Sequence, residues 1–258
     1  VTSSRIDKNQ TQIYEFLLQS ERYTPERSKD WREVKNYIAA LNNAIRELSS
    51  RPMSSELIKS THKTLLETGT REQKKLGAFR DCQNWIGGND FSDAEFIPPH
   101  HKLVDELMDD LVSFLNNENS NVPELIKIAI AHYQFETIHP FLEGNGRIGR
   151  LLIPLFLLDR KILTKPLLCL SSWFEKNKGH YYDNLTSVRT KNDITQWLVY
   201  FLTGIAETAN KGQGTLLDIL QLKDKAECII NDFFGRRACR ANVLLKHLFR
   251  NPVVNVRE

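Results

Sequence analysis

Cysteine is scarce in this chain. There are four in 258 residues, Cys82, Cys169, Cys228 and Cys239, with no Cys-x-x-Cys pair and no histidine at ligand spacing. That pattern argues against a zinc site and a disulfide framework and points to a reducing cytoplasm. Long apolar runs are missing as well. The longest, Leu151 to Leu158, contains Pro154 and falls well short of the ~20 residues that span a bilayer. The first residues do not read as a secretory signal. Net charge is only +3, too little by itself to ask for nucleic acid. There is no internal repeat and no low-complexity tract. What is present, 41% hydrophobic and 26% charged residues, is ordinary for a soluble globular protein of one large domain, with or without a small appendage.

Helical periodicity dominates that material. Ile13, Phe16 and Leu17, then Val34, Tyr37, Ile38, Leu41, Ile45 and Leu48, recur at three- and four-residue steps, as one apolar stripe requires. Tyr23 to Lys29, with Pro25, reads as a polar connector. Pro52 followed by Ser54 and Ser55 restarts a helix near Glu56, either serine serving as N-cap. Further helices are expected over Lys102–Leu115, Pro123–Thr137, Arg147–Asp159, Trp173–Val188 and Ile194–Ala209. The one strand-like region lies between Gly77 and Ile97. There Gln83-Asn84-Trp85-Ile86, a Gly87-Gly88 turn and Phe96-Ile97 predict a small β-hairpin, with Trp85 as core where the hairpin is a plain surface element. Gly212 and Gly214 then read as a hinge before a long amphipathic helix and a second one ending at Asn251-Pro252. The closing NPVVNVRE reads as a cut edge. The fold class is all-α with a small β-hairpin.

One stretch concentrates chemistry. Ile138 to Leu152 reads IHPFLEGNGRIGRLL, with a histidine, a carboxylate, three glycines, an asparagine and two arginines ahead of an apolar run. A glycine-rich turn opening into a helix points backbone N–H groups at an anion. Arg147 and Arg150 are three apart, so on a helix they share a face and can grip one polyphosphate. His139 supplies a proton acceptor and Glu143 a candidate metal ligand. A plain helix–loop–helix corner would not need all of these at once. The residues alone point to chemistry on a nucleotide.

HPFLEGNGRIGR resembles the signature of the Fic (Fic/DOC) family, His-x-Phe-x-(Asp/Glu)-Gly-Asn-Gly-x-x-x-Arg with a further arginine inside it. The flanking AHYQFETIHP, the upstream QNWIGG and the downstream YYDNL are similar to the same family, so the resemblance runs from Ser3 to about Ala209. It implies a protein adenylyltransferase that moves AMP from ATP to a Ser, Thr or Tyr hydroxyl and releases pyrophosphate, auto-modification included. It implies His139 as general base, Phe141 as a buried anchor, Glu143 as the Mg²⁺ ligand, and the backbone of Gly144 to Gly146 with the Asn145 side chain as an anion hole. Arg147 and Arg150 would neutralise the outer phosphates. The hairpin would be a flap that aligns the incoming protein by main-chain bonds, with Ile86, Gly87, Gly88 and Asn89 bordering the nucleotide. Tyr181 and Arg189 fall where the family contacts adenine, although for Tyr181 a core role is equally open; Tyr182 reads as packing.

The N-terminal Ser3-Ser4-Arg5-Ile6-Asp7-Lys8 resembles the inhibitory motif (Ser/Thr)-x-x-x-Glu-(Gly/Asn) of the class with an N-terminal inhibitory helix. In that class a glutamate pairs with the second arginine, here Arg150. Asp7 replaces the glutamate with ~1.5 Å less reach, which implies a weakened brake. VLLKHLFRNPVVNVRE resembles the opening of a winged-helix module, with a simple helical cap as the alternative; DNA contact would need a recognition helix that is not in this sequence. The expected organisation is a helical region over 1–50, a catalytic core over 51–210 and a helical appendage over 211–258. Partners implied are ATP, an unidentified target protein, the chain itself and, by resemblance alone, a second copy in a homodimer. The alternatives are a Fic-type transferase of another nucleotide or phosphate-containing group and a nucleotide-sensing transcriptional regulator.

Overall fold

A computed structural model of the chain describes residues 25–67 and 75–250. Helix α1 spans Pro25–Leu48. Residues 25–29 of the segment expected to be a polar connector are therefore its first turn, because proline is tolerated at that position and its fixed φ suits it. Of the expected stripe, Tyr37, Leu41, Ile45 and Leu48 pack on the core. Ile38 is 39% exposed, and Ala40 and Ala44 are buried instead. Small residues there allow close approach to α2, Ser55–Leu66, the most extensive helix pair among the described residues. Ser54 is the N-cap of α2, its hydroxyl accepting from the Leu57 N–H at 3.1 Å.

A 3₁₀ turn over His101–Leu103 leads into α3, Val104–Asn116. Helix α4, Glu124–Ile138, and helix α5, Asn145–Asp159, form the centre. Ile148, Leu151, Leu152, Ile153, Leu155, Phe156 and Leu157 are all buried, so α5 is apolar nearly all round and lies inside the bundle. The crossing of α4 and α5 is close because Gly149 has no side chain. A Cβ there would sit 2.4 Å from Glu136 Oε1 and 3.2 Å from the Phe135 ring.

The single helix expected over Trp173–Val188 is broken at Asn177 into α6, Ser171–Lys176, and α7, Lys178–Lys191. Helix α8, Thr195–Phe233, is 39 residues long. It runs straight through Gly212 and Gly214, so the expected hinge is not a break. Two glycines at ~1 kcal/mol each do not interrupt a helix whose neighbours are strong formers. Only its first part is buried, through Trp197, Phe201, Gly204 and Ile205. Helix α9, Ala238–Arg250, packs back on it after a short 3₁₀ turn.

The predicted hairpin reduces, among the described residues, to one isolated antiparallel pair. Ile86 and Phe96 exchange N–H···O bonds of 2.9 and 3.1 Å. Gly87 and Gly88 do have positive φ, 72° and 68°. They do not close a two-residue turn, because Asp93 accepts from the Asn89 and Asp90 N–H groups and folds residues 87–95 into a wider loop. Trp85 is not core, as the plain hairpin reading had it: it is 38% exposed and rests on Phe91, ring centroids 4.6 Å apart, in the same surface loop. No helix among the described residues is long and apolar enough to cross a membrane.

Candidate active site

The turn between α4 and α5 is built from glycine freedom and one asparagine. His139 ends α4 in the left-handed region, φ 49°, and its N–H still bonds to the Phe135 carbonyl. Gly144 caps α5 at φ 79°, where a Cβ would also meet Leu66 at 3.0 Å. Between them Asn145, 2% exposed, accepts from the Phe141 N–H at 2.8 Å and donates to the Phe141 carbonyl at 2.7 Å. The Asn145 amide therefore braces the turn with one bond from each of its polar atoms, and the residue also reaches the cavity wall, where the second N–H of Nδ2 is the donor left for the expected anion hole. Phe141 is fully buried, the anchor expected of it.

Two residues with no local sequence signal complete the brace. His62 on α2 stacks on Phe141, centroids 3.8 Å apart, accepts from the Gly77 N–H at Nδ1 and donates from Nε2 to the Glu143 carbonyl, both at 3.0 Å. Burial lowers its pKa to about 4, consistent with a neutral ring that donates at one nitrogen and accepts at the other. Arg80 is 3% exposed. It donates from Nε to the His139 carbonyl at 3.0 Å, and from its terminal nitrogens to the carbonyls of Ile138, Cys82 and Pro99. One guanidinium thus ties the end of α4 to both feet of the flap loop.

A cavity of about 520 Å³ opens above this turn, lined by Glu136, His139, Arg147, Arg150, Tyr181 and Arg189, among others. Glu143, Gly144, Asn145 and Gly146 also reach its wall, as does Ile86 from the flap. Gly87, Gly88 and Asn89 do not; Asp93 turns that part of the loop away. Tyr181 is 7% exposed and its hydroxyl lies 3.0 Å from His132 Nε2. His132 Nδ1 is 3.0 Å from the Gly149 carbonyl and can only donate there, so the ring accepts from the tyrosine. Tyr181 is thus both core and cavity wall. Tyr182, expected to be packing, is 47% exposed and also lines the cavity. Asp7 lies outside the described residues.

The electrostatics are those of an anion site. Helix α5 has no side-chain cap and no acid in its first turn, so the Asn145 and Gly146 N–H groups are open to a ligand. Arg150 folds back over Gly146, its Nη1 3.2 Å from where a Cβ would be. Arg147 sits 3.9 Å from Glu33 of α1, and burial lowers its pKa. The Arg189 guanidinium stacks on the flap residue Phe96 at 3.6 Å, joining α7 to the loop. Burial brings His139 down to about 4, partly offset by the Glu136 carbonyl one turn back. Its Nδ1 is buried without a hydrogen-bond partner, which leaves Nε2 as the nitrogen for the cavity. The ring is neutral at pH 7. Among the described residues no group of three or more His, Cys, Asp or Glu forms a metal cage. Glu143, exposed at the cavity wall, fits an ion that takes most of its ligands from substrate phosphates and water.

This helical bundle with its glycine-rich turn has known counterparts. Residues 52–157 match the Fic/DOC family and residues 1–46 match the N-terminal region of the Fic/DOC family, together more than half of the chain. The chain belongs to the Fic/DOC family. It is similar to protein adenylyltransferase fic-1 of Caenorhabditis elegans, 30% identical over 129 residues, which are 48% of this chain and 24% of that protein. A probable protein adenylyltransferase of Aquifex aeolicus is 40% identical over 70 residues, 27% of this chain and 22% of that protein. The chain thus spans about a quarter of the length of these curated relatives. A crystal structure of a Fic family protein from Desulfovibrio desulfuricans G20 superposes with a TM-score of 0.65 at 25% identity, over 83% of this chain and 62% of that one.

Proposed function

We propose that this chain is a protein adenylyltransferase that moves AMP from ATP to a hydroxyl of a protein, itself included. The observation that supports this most is a coincidence in one cavity: a neutral histidine beside the uncapped N-terminus of a helix, with two arginines one turn along. The curated relatives that the chain matches include one named protein adenylyltransferase and one named probable protein adenylyltransferase.

In this reading the target oxygen bonds to the α-phosphorus while the α–β bridging bond breaks and pyrophosphate leaves. His139 Nε2 takes the hydroxyl proton, a role typically worth ~10²–10⁴-fold. The Asn145 and Gly146 N–H groups meet the charge that builds on the phosphate oxygens. Arg147 and Arg150 hold the leaving phosphates. Glu143 would hold Mg²⁺ together with those phosphates, and the ion would supply charge neutralisation there. The flap pair at Ile86 and Phe96 offers an edge on which a target segment aligns. Asp7 is proposed as a weakened brake acting on Arg150: Asp7→Glu should lower auto-modification. Residues 51–210 are the proposed catalytic unit and 211–258 a helical appendage.

Incubation with α-labelled ATP and Mg²⁺ tests the reading. Label on wild-type protein that falls at least ~100-fold in His139→Ala supports it. No label on either, or equal label on both, would sink it.

A further inference from the structure

Glu33 lies on the inward stripe of α1. Glu33, Tyr37, Ala40 and Ala44 recur at steps of three and four, so they share one face, and α1 packs on α2 and α5. A carboxylate on such a face needs a partner. Its partner is the first arginine of the glycine-rich turn: Glu33 Oε2 is 3.9 Å from Arg147 Nη1, and the two side chains are only 17% and 12% exposed.

The pair straddles the cavity wall. Arg147 lines the cavity and Glu33 does not. At 3.9 Å the carboxylate attracts the guanidinium without taking any of its N–H donors in a hydrogen bond. Arg150, one turn along α5, carries a like charge and pushes the other way, while Glu143 attracts from the cavity side. Burial works against the Arg147 charge, and Glu33 is the strongest influence that restores it.

We propose that Glu33 is a positioning residue for the polyphosphate: from outside the cavity it holds the Arg147 guanidinium in the wall, with the donors left for phosphate oxygens. This rests on the nucleotide-transfer reading above. An arginine fixed before the ligand arrives loses less freedom on binding. An acid that competed with phosphate would sit in the cavity and form the parallel N–H···O bonds that a phosphate makes. Glu33 does neither. Helix α1 thereby takes part in the phosphate grip from behind.

The test is calorimetric binding of α,β-methylene ATP with Mg²⁺, which reads affinity and the fraction of binding-competent protein separately. Glu33→Gln keeps the shape and removes the charge. It should weaken binding about fivefold, the scale of one partly exposed ion pair, with the competent fraction unchanged. Glu33→Asp, which keeps the charge, should recover part of the loss. Arg147→Ala should bind more weakly still, and Glu33→Gln added to it should change nothing further. Tighter binding in Glu33→Gln would make Glu33 a competitor of phosphate. Unchanged affinity, with or without a smaller competent fraction, would make the pair structural only. The same fivefold loss in the Arg147→Ala background would place the effect elsewhere. Each of these overturns the assignment. Failure of wild type to bind the analogue would overturn the nucleotide reading itself.

Discussion

The turn at 138–146 and the flap loop at 86–96 face each other across the cavity mouth, yet they are held in opposite ways. The three side chains that brace the turn all bond within it: Asn145 to Phe141, His62 to Gly77 and Glu143, Arg80 to four carbonyls. The flap has the Ile86–Phe96 backbone pair, a further bond from the Glu95 N–H to the Ile86 carbonyl, one cation–π contact and local caps by Asp90 and Asp93, with Trp85 and Phe91 exposed. The lesson is a division of labour. Phosphate chemistry needs donors fixed before the substrate arrives, because reorganisation at the moment of reaction costs rate. A surface that receives different protein segments needs unspent backbone and apolar area.

The largest effect should come from removing the brace. Asn145→Ala leaves the buried Phe141 N–H unpaired and weakens the hold on its carbonyl, which should cost about 2–4 kcal/mol in denaturant unfolding. A cost under ~1 kcal/mol would mean the turn holds itself, and the contrast with the flap would collapse. Arg80→Ala should follow, at about 2 kcal/mol, since several carbonyls lose a charged donor. Arg80→Lys should recover only part of it, because a single ammonium cannot reproduce the fork.

Acid should loosen the turn next. His62, His132 and His139 all have folded-state pKa values of about 3 to 4, against 6.5 unfolded. Between those values the unfolded chain binds protons that the folded one does not, so stability falls as pH drops from about 6.5 toward 4. Each histidine contributes at most about 1.4 kcal/mol per pH unit. Glu136 opposes them. Its folded pKa is raised from 4.5 to about 7, so its own contribution is present below 4.5 and is lost as pH rises to 7. Thermal melts of Glu136→Gln should therefore drop more steeply on acidification than those of wild type. The smallest effect belongs to the flap. Phe96→Ala removes the contact with Arg189 and should cost about 0.5–1 kcal/mol.

The turn was legible in the sequence because its logic is local. His139, Phe141, Gly144, Arg147 and Arg150 lie within a dozen residues, and their helical spacing places them without knowledge of the rest. The brace was not legible, because His62 and Arg80 come from 58 or more residues upstream and bond to carbonyls of the turn, which leave no mark on the residue types they touch. Asn145 was visible but its bracing role was not, since an amide at a glycine turn can face the ligand or the backbone, and only the folded path of Phe141 reveals the second. Glu136 was printed in AHYQFETIHP one turn before His139, and helical spacing alone would have put it on the same face. The hairpin was overcalled for a physical reason. Gly87-Gly88 has the backbone freedom of a tight turn, but the Asp93 carboxylate takes the N–H groups that a ladder would use.

Amide hydrogen exchange, with and without ATP and Mg²⁺, tests the central claim most directly. The account predicts that without nucleotide the Phe141, Arg147 and Ile148 amides are strongly protected, while the uncapped Asn145 and Gly146 amides and the flap loop exchange faster. Nucleotide should then slow Asn145 and Gly146. A turn that exchanges as fast as the flap, or Asn145 and Gly146 amides indifferent to ATP, would contradict it.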